Sequence, residues 1–154
     1  MKIKSIAILG AGSMGAQIAA ECANAGFSCV LYDLKYTKSD PNKRVKAALD
    51  NLLKANPKVL TSNSNINLIK PANFEDDLNL LKNMDLVIEA VSENLDIKKN
   101  LYKKIKPYLK DNPNTILATN TSGLSLEKLV KSVPQNLKSR FLGLHFFNPP
   151  RYLS

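Results

Sequence analysis

Apolar residues fall along this chain in short unbroken runs, separated by stretches in which they recur every three or four positions. Residues 3–9, 29–33, 66–69, 86–91, 115–119 and 141–146 each read as a strand. Several of these runs are apolar throughout, the pattern of parallel strands buried on both faces. After the first run, Met14, Ile18, Cys22 and Ala25 share one face of a helix that begins near Ser13 and is ended by Gly26. Asp40 and Pro41 make an N-cap and first-turn pair for a second helix, with Val45, Leu49, Leu52 and Leu53 inside and an end before Asn56-Pro57. In a third, Ile97, Leu101, Ile105 and Tyr108 form the apolar stripe, while Lys98, Lys99, Lys103, Lys104 and Lys106 cover a mostly solvated face. Ser125 caps a fourth, with Leu126, Leu129, Val130 and Val133 inside and Pro134 as its stop. The polar stretch 56–65 reads as a loop, and no internal repeat stands out.

The first crossover carries Gly10-Ala-Gly12-Ser-Met-Gly15 between strand and helix. Gly10 permits the tight turn, Gly12 lets backbone approach a pyrophosphate, and Gly15 lets the helix pack closely on the strand. The helix beginning near Ser13 aims unpaired N–H groups and a positive dipole end at the same place. Asp33 closes the second strand eighteen residues past Gly15, where a carboxylate accepts hydrogen bonds from an adenosine ribose and repels a 2'-phosphate. The order strand, glycine turn, helix, strand, acid therefore predicts dinucleotide binding, with NAD favoured over NADP and Lys35 the one nearby feature pulling the other way. The alternation along the whole chain predicts an α/β, Rossmann-type, doubly wound, mostly parallel six-stranded sheet with helices on both faces, as one domain over residues 1–154. In such a sheet the ligand lies off the carboxyl ends of the strands, which here carry residues 10–15, 33, 90–93, 120–122 and 145–148.

Composition narrows the function classes. The net charge of +9 comes mainly from lysines spread along the chain, denser at 35–46 and 98–110. Aromatic residues are not interleaved with them and no nucleic-acid recognition motif occurs, so the excess reads as solvated surface whose field draws in anionic ligands. Cys22 and Cys29 fall at core positions and read as small buried hydrophobes in a reducing compartment, with no disulfide and no metal cluster. No charged-then-apolar leader precedes the first strand, and no apolar run approaches the roughly 20 residues of a membrane span. A cytoplasmic protein with no membrane or nucleic-acid partner is expected.

His145, the single histidine, lies at the end of the last strand. Imidazole suits proton exchange near neutral pH, and hydride transfer from a carbinol needs such a partner; a packed histidine satisfied by a backbone group is the plainer alternative. Ser122 could bind a substrate oxygen or merely close a turn. Glu89 and Glu93 could serve ribose or a lysine, and Lys98 could pair with Glu93 or bind phosphate.

Together, Leu144-His-Phe-Phe-Asn-Pro-Pro150, Asn120-Thr-Ser-Gly-Leu124, Glu89-Ala-Val-Ser-Glu93 followed by Lys98, and the glycine turn resemble the 3-hydroxyacyl-CoA dehydrogenases, in order, almost from end to end. The ending Pro150-Arg-Tyr-Leu153 and the long segment after Asp33 are most similar to the long-chain, fatty-acid-degrading branch. The resemblance implies NAD-dependent oxidation of a 3-hydroxyacyl-CoA to the 3-ketoacyl-CoA in fatty acid β-oxidation. His145 would be the general base, Ser122 would hydrogen-bond the reacting oxygen, and Asn148 would shape the same site. Cofactor contacts would come from Gly10, Gly12, Ser13, Met14, Gly15, Asp33, Ala90, Val91, Glu93, Lys98, Asn120, Ser122 and Asn148. In the family a glutamate about twelve residues beyond the histidine orients it, and a helical C-terminal domain closes over the acyl-CoA and forms most of a homodimer. This sequence runs nine residues past His145. The expectation is thus a cofactor domain that binds NAD and is nearly inert alone, an acid-less histidine commonly losing orders of magnitude in rate. The cofactor half of a related 3-hydroxybutyryl-CoA or sugar-acid dehydrogenase, or a non-catalytic module of the same fold, are the other readings.

Overall fold

A computed structural model describes residues 2–109 and 113–151. Six strands, β1 (Ser5–Leu9), β2 (Ser28–Asp33), β3 (Ile69–Asn73), β4 (Leu86–Glu89), β5 (Ile116–Thr119) and β6 (Phe141–Gly143), form one sheet in the order β3-β2-β1-β4-β5-β6. Every neighbouring pair is parallel. This is the doubly wound order, in which chain direction across the sheet reverses between β1 and β4 and leaves a crevice above their carboxyl ends.

The period-two alternation of each strand sorts its side chains into two cores. Ala7, Leu9, Tyr32, Val87 and Leu117 face one layer, with helix α3 (Leu95–Leu109) and helix α4 (Leu126–Val130) over it. Ile6, Ile8, Leu31, Ile88 and Ala118 face the other, covered by helix α1 (Ser13–Asn24) and helix α2 (Lys43–Lys54). Both faces of the sheet are therefore dry, which is why its strands read as continuous apolar runs.

Several boundaries differ from the expected ones, each for a physical reason. On α1 the buried face is Gly15, Ala16, Ile18, Ala19, Ala20 and Ala23, whereas Ala25 is exposed and Met14 and Cys22 are half-buried. The helix lies close to the sheet, so apart from Ile18 its buried face holds only small residues, and Met14 and Cys22 are turned to the sides. Asp40 and Pro41 precede α2 without capping it. Asn42 stands at the N-cap, Asp40 instead pairs with Lys46 at 2.7 Å, and Leu53 points outward. The run at 66–69 is mostly a 3-10 turn, Asn63–Leu68, and β3 begins only at Ile69 and includes Pro71. β3 is the sheet edge, where proline's missing N–H forfeits no ladder bond. α4 is a short turn with Leu126 exposed, and Ser125 at its N-cap makes no side-chain capping bond.

β4 and β6 are shorter than the apolar runs that announce them, because in both the chain leaves the sheet to build the crevice. Beyond Gly143 one ladder bond persists, Leu144 N–H to the Thr119 carbonyl at 3.0 Å. The Asn120 side-chain carbonyl then takes the Phe146 N–H at 2.8 Å. The tripeptide from 144 to 146 is thereby pinned to the end of β5 at both ends.

The tightest constraint is the glycine turn. A methyl group on Gly15 would overlap the Gly10 carbonyl, and one on Gly10, whose φ is +112°, would lie 2.8 Å from the Ala90 carbonyl oxygen. Replacing Gly15 with Ala should therefore lower stability by about 2–4 kcal/mol, as overpacking against backbone does, while Gly12→Ala, which meets nothing within 4 Å, should cost less than about 1 kcal/mol. Urea unfolding midpoints of the two variants check this difference.

Candidate functional site

The crevice above β1 and β4 is built first by the glycine turn. Gly10 donates to the Tyr32 carbonyl at 2.9 Å, which draws the turn against β2. Asp33 then folds over it: Oδ2 accepts the Ala11 N–H at 2.8 Å and Oδ1 the Leu34 N–H at 2.7 Å. Gly12 occupies the N-cap of α1, where no side chain caps the helix and no acidic residue lies in the first turn. The unpaired N–H groups of that end face the crevice together with the open space above Gly12, so an anionic group can approach the backbone unobstructed.

Two cavities meet there. One, of about 400 Å³, extends from Gly10 and Gly12 past Asp33 to Leu34, Phe74 and Ile97. The other, of about 570 Å³, extends from Gly12, Ser13 and Met14 past Glu93 and Asn120 to Ser122, His145 and Asn148. Both share Gly12 and residues 90–92, so they form one continuous trough across the switch point. Of the residues expected at the site, all but Gly15 and Lys98 line this trough; Gly15 supports the turn from beneath.

Lys98 is the departure. Expected on a solvated face and among the cofactor contacts, it is 1% exposed, with its ammonium 2.7 Å from Glu89 Oε1 and 3.3 Å from Glu93 Oε2. Glu89, at the end of β4, is wholly buried and also accepts from the Tyr102 and Thr119 hydroxyls, at 3.1 and 2.7 Å, and from the Val91 N–H at 2.9 Å. An isolated carboxylate in this environment would be prohibitively costly, and the helix phase that delivers Lys98 and Tyr102 to it is the one α3 adopts. That phase turns Ile97 outward into the cavity of about 400 Å³ beside Asp33, where it lies with Asn100, Leu101 and Lys104 along one helical stripe.

The same lysine reaches the opposite end of the trough through Glu93. Glu93 Oε1 gathers the Thr121 hydroxyl and the N–H groups of Ser122, Gly123 and Leu124, at 3.0, 2.8 and 3.3 Å for the three amides. Burial works against its charge, but the Thr121 hydroxyl, the Gly123 N–H and the Lys98 ammonium outweigh it and hold the carboxyl down at about 2. Glu93 thus shapes the loop that presents Ser122. His145 is exposed in the trough, its ring edge-on to Phe147 with centroids 5.2 Å apart. Ser122 is exposed beside it, and Asn120, expected as a ligand contact, has its carbonyl oxygen committed to the Phe146 N–H.

Residues that sequence reasoning missed are Leu34, Phe74, Ile97, Asn100 and Lys104. Leu34 and Ile97 are large apolar side chains left 56% and 47% exposed, and a helix phase with Lys98 inward would have revealed Ile97. Phe74 gave no such hint, since its position depends on where β3 ends. Cys22 and Cys29 are both free thiols. Among the described residues no three His, Cys, Asp or Glu side chains gather as a metal site, and no helix is long and apolar enough to cross a membrane.

Residues 5–154 match the family model described as the NAD-binding domain of 3-hydroxyacyl-CoA dehydrogenase. A Rickettsia felis protein provisionally named a fatty acid oxidation complex trifunctional enzyme is 48% identical over 99% of this chain and 21% of its own length. A Deinococcus radiodurans protein, provisionally named a 3-hydroxyacyl-CoA dehydrogenase, is 43% identical over 99% of this chain and 44% of its own. The chain thus spans less than half the length of these relatives. Among solved structures, a 3-hydroxybutyryl-CoA dehydrogenase from Escherichia coli K12 superposes with a TM-score of 0.80 at 31% identity, over 99% of this chain and 31% of that one.

The charge network generates two expectations. Lys98→Met strands the Glu89 carboxylate and should cost about 3–5 kcal/mol in urea unfolding, with Glu89→Gln added to it recovering part of the loss. Because Glu93 sits at about 2 when folded against an ordinary 4.5, its contribution is complete above pH 4.5 and fades as pH falls toward 2. In Glu93→Gln the decline of the thermal midpoint between pH 5 and pH 3 should accordingly be shallower than in the parent.

Proposed function

Because the chain belongs to the 3-hydroxyacyl-CoA dehydrogenases, matching their NAD-binding domain, we propose that it supplies the dinucleotide site and the proton-transfer residues for oxidation of a 3-hydroxyacyl-CoA to a 3-ketoacyl-CoA. The observation that carries this reading is the single trough that runs from Asp33, over the uncapped end of α1, to Ser122 and His145. The donor set fits the cofactor: a carboxylate for ribose hydroxyls, a side-chain-free backbone at Gly12 for the pyrophosphate, and apolar walls at Leu34, Phe74 and Ile97 for the adenine.

NAD, when bound, accepts the hydride from C3 of the substrate. The chain's own residues do the rest. His145 takes the proton of the C3 hydroxyl as the C3–H bond breaks, so that hydride and proton leave by different routes and the carbon is left as a carbonyl. The Ser122 hydroxyl hydrogen-bonds the reacting oxygen and strengthens that bond as negative charge develops on it. Glu93 and the pinned 144–146 segment hold these two groups beyond the neighbouring carboxyl ends of β5 and β6, where both line the same cavity. Asn148 borders the substrate side of that space.

The family resemblance adds a carboxylate that orients His145 and a helical C-terminal domain that encloses the acyl-CoA and pairs two subunits. The reading therefore makes this stretch a cofactor domain within a longer, homodimeric enzyme, with little turnover by itself. A reducing, cytoplasmic setting belongs to the same reading.

Fluorescence titration of the 154-residue chain with NADH and NADPH tests the cofactor half directly. Saturable binding that favours NADH is expected, and Asp33→Ala should weaken NADH about ten- to a hundredfold and narrow the gap to NADPH, the loss of one charge-assisted hydrogen bond at about 1.5–3 kcal/mol being of that order. An unchanged preference would remove Asp33 from ribose recognition. In a full-length dehydrogenase carrying this domain, His145→Gln should abolish turnover with NADH affinity near normal, and residual activity near the parent level would take His145 out of the mechanism.

A further inference from the structure

Lys35 lies two residues beyond Asp33 and directly follows Leu34, both of which line the trough, although Lys35 itself lines neither cavity. In a chain selective for NAD this cation is out of place. Its ammonium contacts both oxygens of Asp76, at 2.9 and 2.8 Å, and its backbone N–H is fixed by Glu75 Oε2 at 2.9 Å. The side chain is about one-third exposed, so its four-carbon stem is free to swing once the carboxylate is removed.

Asp76 is itself held in place by the fold. The register of β2 with β3 sets Asp33 opposite Asn73, and the Phe74 N–H donates to the Asp33 carbonyl at 3.1 Å. Asn73, 1% exposed, accepts the N–H groups of Glu75 and Asp76 at 3.0 and 2.8 Å and donates to Asp76 Oδ2 at 3.3 Å and to Asp77 Oδ2 at 3.1 Å. A buried side chain thus orients the carboxylate toward Lys35. Glu75 Oε1 is 3.3 Å from Lys104, the lysine that lines the cavity beside Asp33, so it and Lys35 each already hold a carboxylate. Lys43 and Arg44 lie over the Tyr36 ring, 5.0 and 5.7 Å from its centroid, and form no part of the cavity wall.

We propose that Asp76 is a specificity-determining residue: by sequestering the Lys35 ammonium it denies NADP a partner for its 2'-phosphate and keeps the trough selective for NAD. This rests on the assignment of Asp33 to the ribose. Asp33 repels the phosphate directly, while Asp76 disarms the residue that would otherwise compensate.

The test is a titration of NADH and NADPH against the parent, Asp76→Asn, Asp76→Glu, Lys35→Met and the Asp76→Asn/Lys35→Met pair. Asp76→Asn should tighten NADPH about fivefold with NADH within about twofold, since a freed ammonium exchanges a weak exposed ion pair for a charge-assisted bond to phosphate. Asp76→Glu should retain the parental preference, and in the Lys35→Met background the Asp76→Asn gain should vanish. A gain that persists without Lys35, or NADPH affinity unmoved by Asp76→Asn, overturns the proposal. Asp33→Ala, read in the same titration, decides the ribose assignment separately.

Discussion

A carboxylate without access to water sits at the end of β4, and much of the crevice is arranged around the need to satisfy it. Glu89 has a buried cation, two hydroxyls and a backbone N–H. These four donors come from three parts of the chain: α3 for Lys98 and Tyr102, β5 for Thr119 and the β4 turn for Val91. Meeting that one requirement sets the rotation of α3 about its axis, the approach of β5 to β4 and the path of the backbone over the switch point.

The two ends of the trough follow from it in opposite directions. With Lys98 turned inward, Ile97 is turned outward and becomes wall of the cavity beside Asp33. With Lys98 also within reach of Glu93, the loop at 121–124 gains an anchored carboxylate that collects three of its amides, and Ser122 is presented toward His145. One lysine thereby couples the shape of the nucleotide-binding side to that of the chemical side without touching either ligand's expected position.

The parts of this structure legible in the sequence are those where chemistry at one position dictates local backbone. The glycine turn, Asp33 and the alternation of strand and helix are of this kind, and they were sufficient for the sheet, its crevice and the cofactor. His145 and Ser122 were legible by their place at strand ends. What could not be read locally was set across the sheet. The phase of α3 depends on Glu89, whose burial no single segment reveals, and four of its apolar positions favoured a stripe that put Ile97 inside. The start of β3 depends on pairing with β2 alone, which makes Pro71 acceptable. The small-residue face of α1 depends on how closely Gly15 lets it approach.

β6 has only three residues, forms the open edge of the sheet, and leaves Leu142 40% exposed. The dinucleotide end of the trough, by contrast, stands on the central strands β1, β2 and β4. The trough is accordingly more firmly braced beside Asp33 than beside His145. His145 hangs from the least restrained strand, bracketed by two hydrogen bonds to β5 and its end, so its aim is adjustable by whatever is laid along that edge. On the proposed reading, engagement of the second substrate and alignment of the base would then be a single mechanical event.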